Sequence, residues 1–269
     1  MDLTCENIDM ESQGEIILAG GNLTKVVRVG DTVRRETGPW TPMVHSLLKH
    51  LRDGGFSYAP EVQGIDELGR EILSFIPGET LTTSPWPQWV WSSQLLVEAV
   101  SVLVDYHQKV ADFRPVSVES RLGTELLASN QIVCHNDFAP YNCVFRDGHI
   151  AGLIDWDVAC PGEPSWDLAF FAWHWVPLYP PSVSFAWRSL DVSRQRLRTI
   201  VDSYGLDERK GFVAQIITRI EASRNGIISR SSEGDAAFKR LNREGHAEEM
   251  LRTIDFVHNN ESLLTEALV

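Results

Sequence analysis

Apolar positions change period along the chain, and the change divides it in two. Near the amino terminus short strand-like runs cover Glu15–Leu18, Lys25–Val29, Thr32–Arg35, Val62–Ile65 and Glu71–Phe75. Runs this short, bounded by turn residues, predict β-strands. Gly20-Gly21-Asn22 and Gly30-Asp31 separate the first three and predict hairpin turns. Between the third and fourth runs, Val44, Leu47, Leu48 and Leu51 recur at helical spacing until Gly54-Gly55 stops them. Strands, one helix and two more strands therefore open the chain.

From Gly78 onward the pattern is mainly helical. Leu96, Val100, Leu103, Val104 and Val110 mark an amphipathic helix over 95–110. One β-rich segment interrupts. Ile132-Val133-Cys134 is a short apolar run, and Pro140 breaks any helix that might follow it. Cys143-Val144-Phe145 and His149–Ile154 are strand-like and joined by Arg146-Asp147-Gly148, a hairpin signal. A hairpin brings Asn142 and Asp155, at its outer ends, to roughly one strand spacing, about 4.8 Å.

Composition narrows the classes. A chain of 269 residues, 43% hydrophobic, can bury a substantial core in one large or two modest domains. It has no run of about 20 apolar residues, so no membrane span or membrane partner is expected. The start, Met1-Asp2-Leu3-Thr4-Cys5-Glu6, lacks the basic and apolar regions of a signal peptide, which predicts a cytoplasmic protein. Cys5, Cys134, Cys143 and Cys160 form no Cys-x-x-Cys pair; reduced thiols and no zinc are expected. The net charge of -13 argues against nucleic acid and suits a cationic small substrate. Arg194, Arg196 and Arg198 read as a solvated helix face.

The chemistry concentrates in two segments. His135, Asp137 and Asn142 lie in one, Asp155 and Asp157 in the other. Phosphoryl transfer needs an acid to accept or orient the proton of an attacking hydroxyl. It also needs oxygen ligands that hold magnesium against phosphates. A hydrolase built on Cys134 or Cys143 with His135 has only sequence adjacency behind it, and nucleophilic catalysis requires spatial geometry.

These segments resemble the catalytic loop and metal-binding segment of the aminoglycoside phosphotransferase family, small-molecule relatives of the protein kinases. The resemblance rests on His135-Asn136-Asp137, four residues, Asn142, and then Asp155-Trp156-Asp157. It implies an α+β, bilobal, protein-kinase-like fold. Residues 1–77 would be a β-rich nucleotide-binding lobe ending at a Pro77-Gly78 hinge. Residues 78–269 would be a helical lobe holding the catalytic loop, metal site and acceptor site.

By the same resemblance Asp137 is the catalytic acid/base, Asn142 and Asp155 are magnesium ligands, and Asp157 is a supporting or second-metal acid. Gly20, Gly21, Asn22 and Thr24 would cover the phosphates, although a plain hairpin turn would look the same. The adenine is expected on the backbone near Ser74, Phe75 and Ile76. His135 is expected to bond the backbone of the metal segment, and Asp167 to brace the catalytic loop or cap its own helix. The implied cofactors are ATP or GTP and Mg2+. The implied partner is a small hydroxyl acceptor, such as an aminoglycoside, another cationic antibiotic or an amino alcohol, bound by a monomer or weak dimer.

Two departures from the family pattern stand out. The third strand offers Arg34 and Arg35 where relatives carry lysine, and strand alternation lets only one face the nucleotide. Arg34, directly after Val33, is the expected phosphate contact. Arg35 is left to solvent or to brace the helix around His45. No acid occurs from Thr37 to Arg52, so the glutamate that usually pairs with the lysine is missing, and His45 is a candidate to take over part of the positioning. These departures motivate an alternative, a kinase-like binding protein with little activity. On the acceptor side Trp86, Trp89, Trp91, Trp166, Trp173, Trp175 and Trp187, with His174 and Tyr179, serve core packing, ring stacking or cation–π contacts.

Overall fold

The computed structural model describes residues 14–18, 26–82, 85–182 and 188–269. The amino-terminal elements are β1 (Glu15–Leu18), β2 (Val26–Val29), β3 (Thr32–Glu36), α1 (Thr41–Asp53), β4 (Val62–Ile65) and β5 (Arg70–Ser74). The strands form one antiparallel sheet in the order β1-β2-β3-β5-β4. Apolar positions of α1 at helical spacing bury Val44, Leu47, Leu48 and Leu51, each at most 1% exposed. Burying such a side chain contributes about 1.5–3 kcal/mol, which holds α1 in place without a side-chain cap at its start.

The chain then enters α2 (Ser93–Val110), whose first turn is capped by the Ser92 hydroxyl accepting from the Leu95 amide at 3.2 Å. Short pairs follow: β6 (Val118–Ser120) with β7 (Gly123–Glu125), β8 (Ile132–Cys134) with the later β11 (Cys160–Gly162), and β9 (Cys143–Arg146) with β10 (His149–Leu153). Helices α3 (Pro164–Trp175), α4 (Leu190–Tyr204), α5 (Phe212–Glu233), α6 (Ala236–Arg243), α7 (His246–Asn259) and α8 (Glu261–Glu266) complete the chain. A β-rich amino-terminal part and a mostly helical remainder make this the expected α+β, protein-kinase-like architecture.

The link between the two parts is pinned. Glu79 and Phe145 exchange backbone hydrogen bonds of 2.8 Å, which ties the segment after Pro77 to β9. Gly78 sits at φ 154°, and a Cβ there would come within 2.4 Å of the Phe145 carbonyl oxygen. Only glycine permits that approach. Gly78 and the β9–β10 hairpin are thus packed together.

Candidate active site

The loop that leaves β8 at His135 is held from behind. Tyr106 of α2 donates its hydroxyl to the Val133 carbonyl at 2.5 Å. Asp167 of α3 is fully buried, and its two oxygens accept from the His135 and Asn136 amides at 2.9 Å each. His107 of α2 meets the same carboxylate at 3.2 Å. Asp167 therefore braces the loop rather than capping its own helix. Burial would raise its pKa, but His107 and the loop amides hold the carboxyl below the usual range.

His135 lies against the backbone that leads into Asp155, as expected. Its Nδ1 accepts from the Asp137 amide at 3.2 Å, within its own loop, and its Nε2 has no hydrogen-bond partner among the described residues. The ring packs 4.4 Å from Trp156, and the Ile154 backbone beside Asp155 acts on it. Burial pushes its pKa down to about 4, so it stays neutral and serves packing.

Asp137 is surrounded by donors. Tyr141 gives its hydroxyl to Oδ1 at 2.9 Å, and Asn142 gives its amide to Oδ2 at 2.8 Å and to the Asp137 carbonyl at 2.9 Å. Burial pushes the carboxyl up to about 7, and the nearby Asp155 charge adds to the rise against these two donors. A carboxyl poised there can exchange a proton with a hydroxyl near neutral pH.

The hairpin juxtaposition holds. Cys143 pairs with Leu153, and the Ile154 amide donates to the Asn142 carbonyl at 2.9 Å, so Asp155 starts one residue beyond its neighbour strand. Asp155 and Asn136 both adopt left-handed backbone, φ 67° and 64°. Such non-glycine conformations cost roughly 1–3 kcal/mol and concentrate at functional sites. Asp155 keeps 38% of its side chain exposed, while Asp157 keeps 4%. No cluster of three His, Cys, Asp or Glu side chains among the described residues could hold a metal alone. Asn142 and Asp155 form a sparse all-oxygen pair, which fits magnesium, a cation that retains water and phosphate ligands.

The third strand turns the other way from the sequence expectation. Arg35, not Arg34, faces the acids. Its guanidinium meets Glu71 at 2.7 Å, Asp157 at 2.5 Å and Asp155 at 3.5 Å. Arg34 instead bonds Thr32 and approaches Asp66 at 3.6 Å. The strand alternates as expected, and its faces are fixed by pairing with β5, where Arg35 stands opposite Glu71. Asp157 is consequently paired with Arg35. Burial alone would lower the Arg35 pKa; Asp157, Glu71 and Asp155 more than reverse this, keeping it charged.

The acid that sequence reasoning missed is Glu71. It comes from β5 rather than α1, and it also accepts from His45 of α1 at 2.9 Å. Against burial, His45 and Arg35 hold its carboxyl below the ordinary range. A lone glutamate in the otherwise apolar run Glu71-Ile72-Leu73 was the available signal. Tyr141 was also missed, although it lies between Asp137 and Asn142.

Two linker positions are committed elsewhere. The Ser74 and Phe75 amides donate at 2.8 Å to the Glu61 and Asp31 carbonyls, and Arg28 covers the Phe75 ring at 3.8 Å. Neither amide is available to an adenine. Ile76 packs its side chain on Gly152. Gly20, Gly21, Asn22, Thr24 and Trp187 lie outside the described residues. The Arg194–Arg198 face is not wholly solvated either. Arg196 is 5% exposed, its guanidinium bonded to the Trp175 and Trp91 carbonyls.

Known proteins resemble this chain in sequence and in fold. Residues 117–185, which span both chemical segments, match the family described as the phosphotransferase enzyme family. A trifolitoxin immunity protein of Rhizobium leguminosarum bv. trifolii is 38% identical over 213 residues, covering 76% of this chain and 80% of that protein. An amicoumacin kinase solved with AMP-PNP and Ca2+ shares the fold at a TM-score of 0.61 and 11% identity, over 93% of this chain and 89% of its own. An aminoglycoside phosphotransferase candidate from Ralstonia eutropha does so at 0.59 and 15% identity, over 91% and 92%.

Proposed function

Because the chain belongs to the phosphotransferase enzyme family, we propose that it moves the γ-phosphoryl group of ATP or GTP, with magnesium, onto a hydroxyl of a small toxic molecule. The observation that carries this reading is the convergence of Asp137, Asn142 and Asp155 on one loop and hairpin end. The acceptor oxygen attacks the γ-phosphorus, the bond to the β-phosphate oxygen breaks, and nucleoside diphosphate leaves. Asp137 orients the hydroxyl and takes its proton. Tyr141 and Asn142 fix the carboxylate through their hydrogen bonds. Asn142 and Asp155 would hold Mg2+, which when bound neutralises charge developing on the phosphates.

Arg35 is assigned to the phosphates in place of the usual lysine, with Glu71 and His45 restraining its fork. The adenine or guanine belongs at the linker near Ile76, and Gly20, Gly21, Asn22 and Thr24 remain the candidate phosphate cover. A division into residues 1–77 and 78–269 is part of this reading, and the packing of Gly78 on Phe145 of β9 supports it. Inactivation of a toxin is suggested by the relative named for immunity to trifolitoxin.

A second reading, sequestration of a ligand with little turnover, has one observation in its favour. The Arg35 guanidinium already lies 3.5 Å from Asp155, against the acid that a metal would use. Both readings meet in one experiment. Purified protein is incubated with Mg2+, ATP or GTP, and either trifolitoxin or an alcohol library, and diphosphate release is measured beside product mass. Transfer that falls by about 10²–10⁴-fold in Asp137→Asn supports the phosphotransferase. Protection of cells that survives Asp137→Asn without phosphorylated product supports sequestration.

A further inference from the structure

Asp137 follows a peptide unit that is held at both ends. The N–H of that unit donates to His135 Nδ1 at 3.2 Å, and its carbonyl, that of Asn136, accepts from Nη2 of Arg219 at 3.0 Å. The unit comes directly after the left-handed Asn136, φ 64°. Such a conformation persists only where the surroundings over-determine it. Up to its Cα, Asn136 is fixed by its own groups: its amide donates to Asp167 at 2.9 Å, and its side chain donates to the Cys160 carbonyl at 3.3 Å and sulfur at 3.1 Å. Rotation about the next bond, which aims the Asp137 peptide, is left to His135 and Arg219.

Arg219 comes from α5, outside both chemical segments, and is 7% exposed. Its guanidinium lies 4.7 Å from the Phe170 ring and 5.1 Å from the Trp166 ring, both on α3. Nη1 donates to the Ser223 hydroxyl at 2.5 Å, and Nε has no hydrogen-bond partner among the described residues. Asp167 and Asp137 act on its charge, but no carboxylate forms an ion pair with it among the described residues. Burial, the largest effect, draws its pKa down. Taking a guanidinium out of water is costly, and an apolar chain of similar length would fill the space between the two rings without that cost. Such a chain would not donate to the Asn136 carbonyl. The buried charge therefore has its use at the loop.

We infer that Arg219 is a positioning residue for phosphoryl transfer: through the Asn136 carbonyl it sets the rotation of the Asn136–Asp137 peptide and so aims the Asp137 carboxylate at the acceptor hydroxyl. This rests on the phosphotransferase reading for the task of Asp137. The hydrogen bonds of Arg219 go to Asn136 and Ser223, not to Asn142, Asp155 or Arg35, so its loss should spare nucleotide binding.

Amide exchange followed by NMR on the full chain tests the hold on the loop, because the Asp137 N–H belongs to the same peptide unit as the Asn136 carbonyl. In Arg219→Met, exchange of the Asp137 amide should quicken by about tenfold or more, while amides of β8 and α5 keep wild-type rates. Arg219→Lys, which keeps the charge and one donor, should restore part of the protection. Diphosphate release from ATP with Mg2+, water serving as acceptor, should fall about tenfold or more in Arg219→Met, with AMP-PNP affinity within about twofold of wild type. Wild-type exchange at Asp137 in folded Arg219→Met overturns the inference. Equal quickening at Asp137, β8 and α5, or equal loss of turnover and AMP-PNP affinity, also overturns it, since either marks a residue that only supports the fold. If Arg219→Met does not fold, the same comparison in Arg219→Lys decides, with about threefold faster exchange confined to the loop as the expected result. Failure of the phosphotransferase reading looks different: wild type then releases no diphosphate from ATP or GTP, and the exchange rates alone decide whether Arg219 orients Asp137.

Discussion

Replacing Arg35 separates two effects that the buried cluster joins. The guanidinium is the only cation within ion-pair distance of Asp157 among the described residues, and it shares Glu71 with His45. Asp157 and Glu71 are 3% and 2% exposed, so Arg35→Ala leaves two carboxylates buried with too little positive charge. Breaking a buried pair by removing one partner costs about 3–5 kcal/mol, a large part of a typical stability of about 5–15 kcal/mol. Loss of a charge-assisted bond to phosphate would remove a further 1.5–3 kcal/mol or so of nucleotide affinity, roughly ten- to a hundredfold. Arg35→Lys keeps the charge but not the fork, and should fall between wild type and Arg35→Ala in both measures. Arg34→Ala should change little, because its partner Asp66 is also bonded by Arg70. Urea denaturation gives the stability difference, and calorimetric titration with AMP-PNP and GMP-PNP gives the affinity. If Arg34→Ala loses more of either than Arg35→Ala, the assignment of the β3 faces to function is wrong.

Other consequences are measurable. Asp155→Asn should flatten the magnesium dependence of nucleotide binding more than Asn142→Ala, since a carboxylate gives a hard cation a full charge and an amide only a dipole; magnesium titration against bound nucleotide reads this. Gly78→Ala should destabilise the fold, because the added Cβ meets the Phe145 carbonyl oxygen at 2.4 Å, and a urea midpoint equal to wild type would contradict that packing. His174, whose pKa burial pushes down to about 3, takes a proton in the unfolded chain near 6.5 but not in the folded one. Stability should therefore fall as pH drops below about 6.5, by up to about 1.4 kcal/mol per unit from this residue. His174→Gln should lose less stability than wild type between pH 7 and pH 5, as judged by urea midpoints.

Local pattern determined the β-rich start, the helical remainder and the hairpin that joins Asn142 to Asp155. Those elements rest on apolar period, on Asp147-Gly148 and on Pro140, interactions spanning only a few residues. The order of His135, Asp137, Asn142 and Asp155 was likewise legible, because phosphoryl transfer needs acids and amides in one short stretch. Tertiary structure decided the rest. Arg34 and Arg35 are equivalent to alternation alone, and only the register of β3 against β5 put Arg35 opposite Glu71 and toward Asp157. The carboxylate absent from α1 was supplied by a strand 36 residues from Arg35 in sequence, across a sheet contact that no local pattern encodes. Burial of Arg196 and Arg219 among carbonyls and rings arises from packing of α4 and α5 on distant segments. Periodicity names the residues on a face; the partner that the face meets, and hence the charge it must balance, is set by contacts far apart in the chain.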